Sequence, residues 1–295
     1  MKILMTGATG FIGRSLLDEL LKTDSEICAL VRKKSNSLPV AVKQIDFSAL
    51  SQLTEPFDVF INLAGESIAA QRWTSKRKQA LLNSRVNLTN RIFDLLQQPP
   101  KTIISMSAIG YYGVTNEGEF TESTLPASGF AHQLCELWER SVTESAQHDS
   151  RVVIFRLGVV LGNGGALNAM RLPYRLGLGG KIASGKQWFN WVHLDDVKQC
   201  ILNAVTDTTY QGSYNLVAPN NATQAEFASG YAKCLKRPAL VWTPQWVLKV
   251  LLGEMSTLLT HGPKVIPDRL VKQGYQFKFD RLDQALNNIE ANNTQ

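Results

Sequence analysis

Short apolar runs alternate with helical patterns along the first half of the chain. The run KILMT at 2–6 ends at glycines, and the following FIGRSLLDELLK carries its apolar residues at helical spacing. Four more apolar runs have the character of buried parallel strands: 26–31, 57–64, 102–108 and 151–157. Helical patterns such as 75–97 and 131–147 separate these runs. The alternation predicts a doubly wound α/β fold with a parallel sheet.

The pattern changes at about residue 160, where glycine, tryptophan and helices without alternating strands become frequent. We therefore predict two parts. The first is a dinucleotide-binding domain at 1–160, whose sheet also takes strands from the second half of the chain. The second is a smaller α/β substrate lobe with a family-specific C-terminal region at 161–295. This lobe should lie over the carboxyl edge of the sheet, where ligands bind in such folds.

The chain of 295 residues has 44% hydrophobic residues and can bury a large core. It opens MKILMTGATG, without an apolar signal stretch, and its apolar runs are far shorter than the roughly 20 residues of a membrane span. We expect a cytoplasmic protein with no membrane partner. The four cysteines are widely spaced and form no cluster with histidines, so we expect reduced thiols and no metal site.

The net charge of +6 is modest for this length. Lysines and arginines do not gather in one aromatic-rich patch, and the densest run, SKRKQ at 75–79, suits a solvated helix face. We expect no nucleic-acid partner. The expected partner is an unidentified small-molecule substrate, and the expected assembly is a monomer or a homodimer.

The first strand leads into a glycine-rich turn, TGATGFIG at 6–13. Gly7 permits the tight turn, Gly10 lets the backbone approach a pyrophosphate, and Gly13 allows close packing of helix on strand. The helix that follows presents free N–H groups to a phosphate. Strand, glycines and helix in this order predict a Rossmann-type dinucleotide site, and a purely structural turn is the alternative.

The end of the second strand indicates which dinucleotide binds. An NAD site usually has an acid there for the ribose hydroxyls, whereas this chain reads ALVRKKS. Arg32, with Lys33 or Lys34 beside it, suits a 2′-phosphate, so NADP(H) is the predicted cofactor. An exposed basic turn is the alternative. Asp46, after the third strand, suits either the adenine amine or a helix cap.

Motifs along the chain resemble those of extended short-chain dehydrogenases/reductases, which include the nucleotide-sugar epimerases. The general motifs are TGATGFIG, NLAG at 62–65 and SMSAIGYYG at 105–113. More specific ones cover essentially the whole chain: NLAGESIAAQRW, SAIGYYG, RLGVVLG, LPYRLGLGGKIASGKQWFNWVHLDD, KVIPDRL and GYQFKF. These resemble the atypical branch labelled "epimerase family protein", sometimes "cell division inhibitor". The resemblance implies an NADP-binding fold with a small C-terminal domain and leaves the reaction open.

The resemblance also assigns cofactor contacts by position. The residues expected to wrap the pyrophosphate, meet the adenosine phosphate or line the cofactor near the nicotinamide ribose are Gly7, Thr9, Gly10, Phe11, Ile12, Gly13, Arg32, Leu63, Ala64 and Gly65. Arg85, on the long helix, is a further candidate for a phosphate or ribose contact. A surface arginine is its equal alternative.

The usual catalytic pair of this superfamily is absent. Its members place a serine or threonine after the fifth strand, then a tyrosine and, four residues later, a lysine that lowers the pKa of the tyrosine. Ser107 is present, but SGFAHQLCELWE at 128–139 contains neither tyrosine nor lysine. The matching positions hold Phe130 with Leu134 or Ala131 with Cys135. We expect Phe130, Leu134 and Leu137 to form an apolar helix face instead.

Other polar groups remain near the predicted nicotinamide face. Tyr111 or Tyr112, with Ser107, is the candidate proton donor, and packing is the alternative for either tyrosine. A tyrosine without a neighbouring cation should act as an acid, which favours reduction. The candidate substrate contacts are Glu66, Trp188, Asn190, Trp191 and His193. His193 also suits a structural role beside the helix cap, and 177–193 is expected to be a lid.

Two functions remain from the sequence. The first is an NADP(H)-dependent oxidoreductase or epimerase-like enzyme that acts on a small, sugar-like substrate without the usual Tyr-x-x-x-Lys pair. The second is a non-catalytic NADP(H)-binding sensor or regulator. The retained lid and polar groups favour the enzyme, and the missing pair favours the sensor.

Overall fold

The computed structural model describes residues 1–146 and 150–293, so the last position of the predicted helix 131–147 lies outside them. The strands are β1 (Lys2–Thr6), β2 (Glu26–Leu30), β3 (Lys43–Ile45), β4 (Val59–Asn62), β5 (Thr102–Ala108), β6 (Glu119–Phe120), β7 (Arg151–Leu157), β8 (Val159–Leu161), β9 (Gly180–Ile182), β10 (Trp188–Phe189), β11 (Trp191–His193), β12 (Gly212–Leu216), β13 (Ala222–Thr223), β14 (Val241–Thr243) and β15 (Lys264–Val265).

The helices run between the strands in the same order. They are α1 (Phe11–Leu20), α2 (Phe47–Ser51), α3 (Ser75–Leu82), α4 (Leu88–Leu95), α5 (Phe130–Ser145), α6 (Gly165–Arg175), α7 (Leu194–Thr206), α8 (Gln224–Cys234), α9 (Gln245–Leu252), α10 (Thr257–Thr260), α11 (Asp268–Lys272) and α12 (Leu282–Ala291). Two short 3₁₀ turns lie at Ile109–Tyr112 and Gly253–Ser256.

Seven parallel strands form the main sheet in the order β12-β7-β5-β4-β1-β2-β3. In the register of this sheet, Met5 of β1 lies opposite Ala29 of β2 on one side and Ile61 of β4 on the other. The predicted doubly wound parallel sheet is therefore confirmed. From the sequence, we assumed a third strand before Asp46 without giving its bounds and did not predict β12; these two strands form the edges of the sheet.

Both faces of the sheet are covered, as strands that are apolar throughout require. Successive residues of β1 point to opposite faces, so Ile3 and Met5 pack with Leu16 of α1. Leu4 points the other way and packs with Phe60 and Ile92 in a separate cluster. This two-sided core fixes the carboxyl ends of the strands as one rigid edge.

The long helix predicted at 75–97 contains a π turn. Thr74 caps its start, accepting from Arg77 N at 3.2 Å, and α3 then runs into a π turn at Asn83–Asn87 before α4 continues. The wider turn shifts the side chains that follow it around the helix axis. The residues of this turn lie on the side of the helix that faces the carboxyl edge of the sheet.

Apart from β7, β12 and α7, which belong to the main sheet and its core, much of the C-terminal half packs around a second core, and the predicted division at residue 160 stays a prediction. Short strand pairs tie this half together, with β8 parallel to β11, β9 parallel to β14 and β15 parallel to β6. Tyr174, Phe227, Tyr231 and Leu286 form its core with helices α6, α8 and α12. Among the described residues, no helix is both long and apolar enough to cross a membrane.

Candidate functional site

A cleft of about 1100 Å³ opens where β1, β2 and β4 end. It exceeds the roughly 300–1,000 Å³ of a typical small-ligand pocket, so an extended ligand fits it. Its wall consists of Thr6, Gly7, Ala8, Thr9, Gly10, Leu30, Val31, Arg32, Lys33, Ser35, Phe47, Leu63, Ala64, Gly65, Glu66, Ala80, Asn83, Ser84, Asn87, Leu88 and Arg91.

The three glycines of the turn differ in what surrounds them. Gly7 has φ of +69°, and a Cβ there would lie 2.7 Å from the carbonyl carbon of Leu63. At Gly13 a Cβ would lie 2.2 Å from Gly7 O, because the helix packs directly on the turn. At Gly10 the single near atom is Gly7 O at 3.1 Å. Gly10 therefore leaves its Cα facing the cleft, as a close approach of phosphate requires.

The remaining residues of this turn divide between cleft and core. Thr9 is exposed and lines the cleft. Phe11 turns away, since a Cβ at Gly164 would lie 2.6 Å from its ring, and Ile12 packs against the main core. The side chains of Phe11 and Ile12 thus hold the helix in place. Their predicted cofactor contact stays a prediction that concerns their backbone.

A basic group lies at the end of β2. Arg32 and Lys33 are exposed and line the cleft. The loop that follows is clamped by Gln44, which accepts from Ser35 N at 2.8 Å and donates to Ser35 O at 3.0 Å. Asp46 accepts from Ala49 N at 2.9 Å and caps α2, the second of its two predicted roles.

Sequence reasoning did not identify two residues of this region, Arg91 and Phe47. The guanidinium carbon of Arg91 lies 4.1 Å from the ring centroid of Phe47, and both side chains line the cleft. They come from α4 and α2, more than 40 positions apart in the chain. A cation stacked on an aromatic ring offers a flat surface with positive charge. No local sequence motif marks this pair.

The wall after β4 is held by polar contacts beneath it. Thr6 Oγ1 donates to Asn62 Oδ1 at 2.8 Å and accepts from Ala64 N at 3.2 Å. Leu63, Ala64 and Gly65 are thereby fixed along the cleft. Arg85 lies behind this wall, where a Cβ at Gly65 would be 2.9 Å from its guanidinium carbon.

Arg85 is half-buried and supports the loop. Its Nη2 donates to Glu66 O at 2.8 Å, and its guanidinium carbon lies 5.2 Å from the ring centroid of Trp138. Burial lowers the pKa of the Arg85 guanidinium. The residue is therefore neither a plain surface arginine nor a member of the cleft wall, and its predicted phosphate contact stays a prediction.

The candidate Ser107 belongs to a buried polar network. Its Oγ donates to Glu139 Oε1 at 2.7 Å. Arg156 binds the same carboxylate through both oxygens, with Nε at 2.9 Å and Nη2 at 2.8 Å. Burial acts to lower the pKa of Arg156, but its hydrogen bonds and attraction to Glu139 raise it overall. The two residues thus form a bidentate ion pair.

Tyr111 and Tyr112 both contact Arg156 but differ in access. Tyr112 is fully buried, and its hydroxyl lies 2.7 Å from Asn215 Oδ1 and 3.1 Å from Arg156 Nη1. Burial raises the pKa of the Tyr112 phenol. Tyr111 is half-buried, and the Arg156 guanidinium carbon lies 3.4 Å from its ring centroid. The expectation of a tyrosine without a neighbouring cation is therefore wrong.

The helix that carries SGFAHQLCELWE begins at Phe130. That residue packs edge-to-face on Trp73 at 5.0 Å between ring centroids, and Lys78 Nζ lies 4.7 Å from its ring. Leu134 is buried beside it, but Leu137 is 39% exposed. The predicted apolar face is corrected accordingly, because helical geometry points Trp138 inward, four residues after Leu134. Burial raises the pKa of the Cys135 thiol on this face to about 11.

Of the predicted substrate contacts, Glu66 lines the cleft, where it forms an ion pair with Arg77. Trp188 is half-buried, and Lys264 Nζ lies 5.5 Å from its ring. Asn190 is buried, donating to Pro263 O at 2.9 Å and accepting from Val265 N at 3.0 Å. Both ends of the Asn190 amide are thus used to hold the C-terminal segment.

Trp191 and His193 are also buried and have structural roles, whereas the sequence predicted that they contact the substrate. Trp191 is 1% exposed and packs in the core of the C-terminal lobe. His193 Nδ1 accepts a hydrogen bond from Asp195 N at 3.1 Å, so His193 caps α7. This is the structural role that was the alternative for His193. Its ring lies 3.9 Å from Phe279, and burial lowers its pKa to about 4. The segment 177–193 forms β9, β10 and β11, and its motion as a lid stays a prediction.

Comparisons with known proteins place this geometry among its relatives. The NAD dependent epimerase/dehydratase family matches residues 3–216, and a domain of unknown function, DUF1731, matches residues 243–289. An epimerase family protein of Staphylococcus epidermidis is 36% identical over 98% of both chains. One of Staphylococcus aureus is 35% identical over 97% of this chain and 98% of its own.

Solved structures agree with these matches. The crystal structure of a human epimerase family protein with NADPH superposes with a TM-score of 0.91 at 34% identity, covering 99% of this chain and 100% of that one. UDP-glucuronic acid 4-epimerase from Bacillus cereus, in complex with UDP-glucuronic acid and NAD, gives a TM-score of 0.79 at 19% identity, covering 99% of this chain and 98% of that one. The second likeness shows the fold alone.

Proposed function

The chain belongs to the NAD dependent epimerase/dehydratase family, and from that membership we propose that it is an NADP(H)-dependent oxidoreductase or epimerase-like enzyme. Its substrate is a small, sugar-like molecule, and its proton donor is not the usual tyrosine of a Tyr-x-x-x-Lys pair. The observation that carries the proposal is the cleft, which has an open glycine at its turn and a basic end.

The residues of the cleft fit a dinucleotide with an additional phosphate. Gly10 leaves room for the pyrophosphate at the N-terminus of α1. Arg32, Lys33 and Arg91 line the adenosine end, and Glu66, the one acid among the residues that form the described wall, lies after β4 instead. A site for the ribose hydroxyls of NAD would place an acid after β2. The human relative crystallised with NADPH supports the same choice.

Tyr111 is the group we propose as proton donor. When bound, the nicotinamide supplies or accepts the hydride. Tyr112 is less suited because its hydroxyl is fully buried and bonded to Asn215 and Arg156. Tyr111 is partly accessible, and its ring lies against the guanidinium of Arg156. That cation packs on the face of the ring and holds Tyr111 in place for proton transfer to the substrate. Ser107 is buried, donates to Glu139 and so helps to hold the network beneath Tyr111 in place.

A sensor without catalysis is the second candidate, and one observation favours it. Phe130 and Ala131, the two positions that can match the usual tyrosine, are packed with Trp73, Leu134 and Met255 into a hydrophobic cluster. The helix that normally carries the proton-transfer pair instead supports the turn at Gly253–Ser256. In this function, cofactor binding would change a surface of the protein that a partner recognises.

A titration of NADPH and NADH into the wild type, Arg32→Ala and Lys43→Ala tests the cofactor assignment. Lys43 is an exposed cation at the opposite end of β3 and serves as the matched control. We expect NADPH to bind more tightly, and Arg32→Ala to lose most of the preference, since a charged hydrogen bond contributes about 1.5–3 kcal/mol. Equal affinities in the wild type would refute the assignment.

Turnover separates enzyme from sensor. Purified protein is mixed with a metabolite pool, and oxidation of NADPH is followed by absorbance. If the protein is an enzyme, we expect it to oxidise NADPH. This activity should be lost in Tyr111→Phe, with NADPH affinity unchanged, and largely kept in Tyr112→Phe. Full activity of Tyr111→Phe would exclude it as the proton donor. A cofactor that binds tightly but is never consumed would favour the sensor.

A further inference from the structure

Two segments of the C-terminal half expose large apolar side chains. One is 172–178, at the end of α6, and the other is 240–251, which includes β14 and α9. Nine of their side chains are between 37% and 86% exposed, and we call them the apolar patch: Leu172, Leu176, Leu178, Leu240, Val241, Trp242, Trp246, Val250 and Leu251. Clustered exposure of this kind marks an interaction surface, whereas scattered apolar residues do not.

The two segments are joined by direct contacts. β14 pairs in parallel with β9, which places Trp242 beside Lys181. Trp242 Nε1 donates to Ala183 O at 2.8 Å, and Arg237 Nε donates to Arg175 O at 2.8 Å. The helix α9 follows β14 after a single residue. The patch is therefore one continuous surface.

Charge around the patch is mainly positive. The stretches 165–186 and 227–253, which contain the whole patch, hold four cations each and no aspartate or glutamate. Arg171 is paired with the buried Glu290, and Arg175 lies 3.7 Å from the same carboxylate. The other six are exposed: Lys181, Lys186, Lys233, Lys236, Arg237 and Lys249.

This charge decides between occupants. A second copy of the chain docking through the same patch would oppose two basic surfaces, and like charges across an interface disfavour binding. An anionic lipid surface offers the complementary charge, and its interfacial region accommodates tryptophan and leucine without requiring a matching shape. On α9, Trp246 and Val250 are four residues apart on one face, with Lys249 beside them, the pattern of a helix that lies in a membrane surface.

We propose that the apolar patch docks this protein onto the surface of an anionic lipid bilayer. Trp246, Val250 and Leu251 enter the interfacial layer, and the exposed lysines meet lipid phosphates. A pocket of about 710 Å³ beside the patch is lined by Arg175, Lys236 and Arg237, as well as Glu290, and can take a headgroup. This proposal departs from the sequence-based expectation of no membrane partner. The proposal is independent of the dinucleotide cleft, to which none of these residues contributes.

Sedimentation of the full chain with lipid vesicles tests the proposal. Vesicles of phosphatidylcholine alone are compared with vesicles that also contain phosphatidylglycerol. We expect binding to the anionic vesicles, weak binding to the neutral ones, and loss of binding as salt is raised, because screening weakens the attraction between exposed charges.

Two double variants separate the apolar and basic parts of the surface. Trp246→Gln/Val250→Gln and Lys181→Glu/Lys249→Glu are each expected to lower anionic-vesicle affinity by at least about tenfold. Val40→Gln/Leu125→Gln, at residues 104% and 86% exposed outside the patch, is the matched apolar control. Lys22→Glu/Lys43→Glu is the matched charge control. Both controls should bind as the wild type does, and circular dichroism verifies the fold of all four.

Three results would overturn the proposal. The first is equal binding to neutral and anionic vesicles. The second is equal loss of binding in the patch variants and their controls. The third is a wild type that ignores vesicles but forms a dimer by size-exclusion chromatography, with Trp246→Gln/Val250→Gln restoring the monomer. That outcome would assign the patch to contact between copies of the chain.

Discussion

The ion pair between Arg156 and Glu139 lies beneath the ring of Tyr111, with 5% and 10% of the two side chains exposed. Removing such charges from water is costly, and the pair offsets this cost through two hydrogen bonds and the further contacts to Ser107 and Tyr112. Loss of one partner leaves a buried charge without compensation.

We predict that Arg156→Met destabilises the fold by about 3–5 kcal/mol, because it leaves the carboxylate of Glu139 unpaired. The double variant Arg156→Met/Glu139→Leu should recover much of this loss. Chemical denaturation measures both. A single variant that is no less stable than the double one would show that the charge of Glu139 is compensated elsewhere.

His193 predicts a pH dependence of stability. Burial lowers its folded pKa from the ordinary 6.5 to about 4, so the unfolded chain takes up the proton first as pH falls. Stability is therefore lost between pH 6.5 and about 4, by up to about 3 kcal/mol from this residue. His193→Gln should flatten that part of the profile in denaturation experiments. An unchanged slope would assign the loss to other groups.

At this scale, what can be predicted from sequence depends on whether the chemistry is local. Gly7, Gly10 and Arg32 were predicted at the cleft because strand, turn and helix are consecutive in the chain. Glu139 and Arg156 could not be paired, since their contact arises from the side-by-side packing of α5 and β7. A charge inside the apolar run RVVIFRL was the one available signal.

Among the elements, the glycine turn and the π turn shape opposite walls of the cleft. Gly10 begins α1, and Asn83, Ser84 and Asn87 face it from the long helix. Ser84 Oγ accepts from Glu66 N at 3.2 Å, which ties the π turn to the loop after β4. Such turns recur at functional sites because they redirect side chains within a helix.

Gly10 and Gly13 allow a matched test of the turn. Gly10→Val should stay folded and lose NADPH binding, since its backbone has φ of −77° and its side chain would enter the cleft. Gly13→Val should instead lose stability by about 1–3 kcal/mol or more, because its Cβ would overlap Gly7 O. Thermal melting and cofactor titration distinguish the two. Normal NADPH binding by folded Gly10→Val would exclude this turn as the site.

The sequence predicted the central strands but did not define the two edge strands, β3 and β12. β3 is a three-residue edge strand, KQI, with a single buried side chain. β12 reads GSYNL, where polar residues interrupt the apolar pattern. The π turn was not predicted, because the spacing of apolar residues indicates a helix but does not distinguish α from π hydrogen bonding. Tertiary contacts determine the structure of β3, β12 and the π turn.

In the whole molecule, hydrogen bonds between separate segments hold the C-terminal region together. The carboxylate of Asp196 accepts from Lys278 N at 2.7 Å and Phe279 N at 3.1 Å, and Asn190 holds Pro263 and Val265. The segment 177–193 is therefore strand-paired before any ligand binds. A lid there would have to break or slide these short pairs.

We predict that NADPH slows hydrogen exchange around 63–66 and 83–91, which line the cleft, and leaves 177–193 unchanged until a substrate is also bound. Exchange measured by mass spectrometry with NADPH alone and with NADPH plus a substrate distinguishes the two steps. If no combination of ligands alters 177–193, this segment is a fixed wall and not a lid.

The late position of β12 in the chain has a consequence for synthesis on the ribosome. β7 is complete at Leu157, but its outer neighbour β12 begins at Gly212, and Asn215 on that strand bonds both Tyr112 and Ile266 O. A nascent chain that has emerged through residue 160 thus has an unpaired strand edge and a buried arginine network without its last partner. Such an edge is prone to pair with other chains, so this stage is where a translating chain most needs a chaperone.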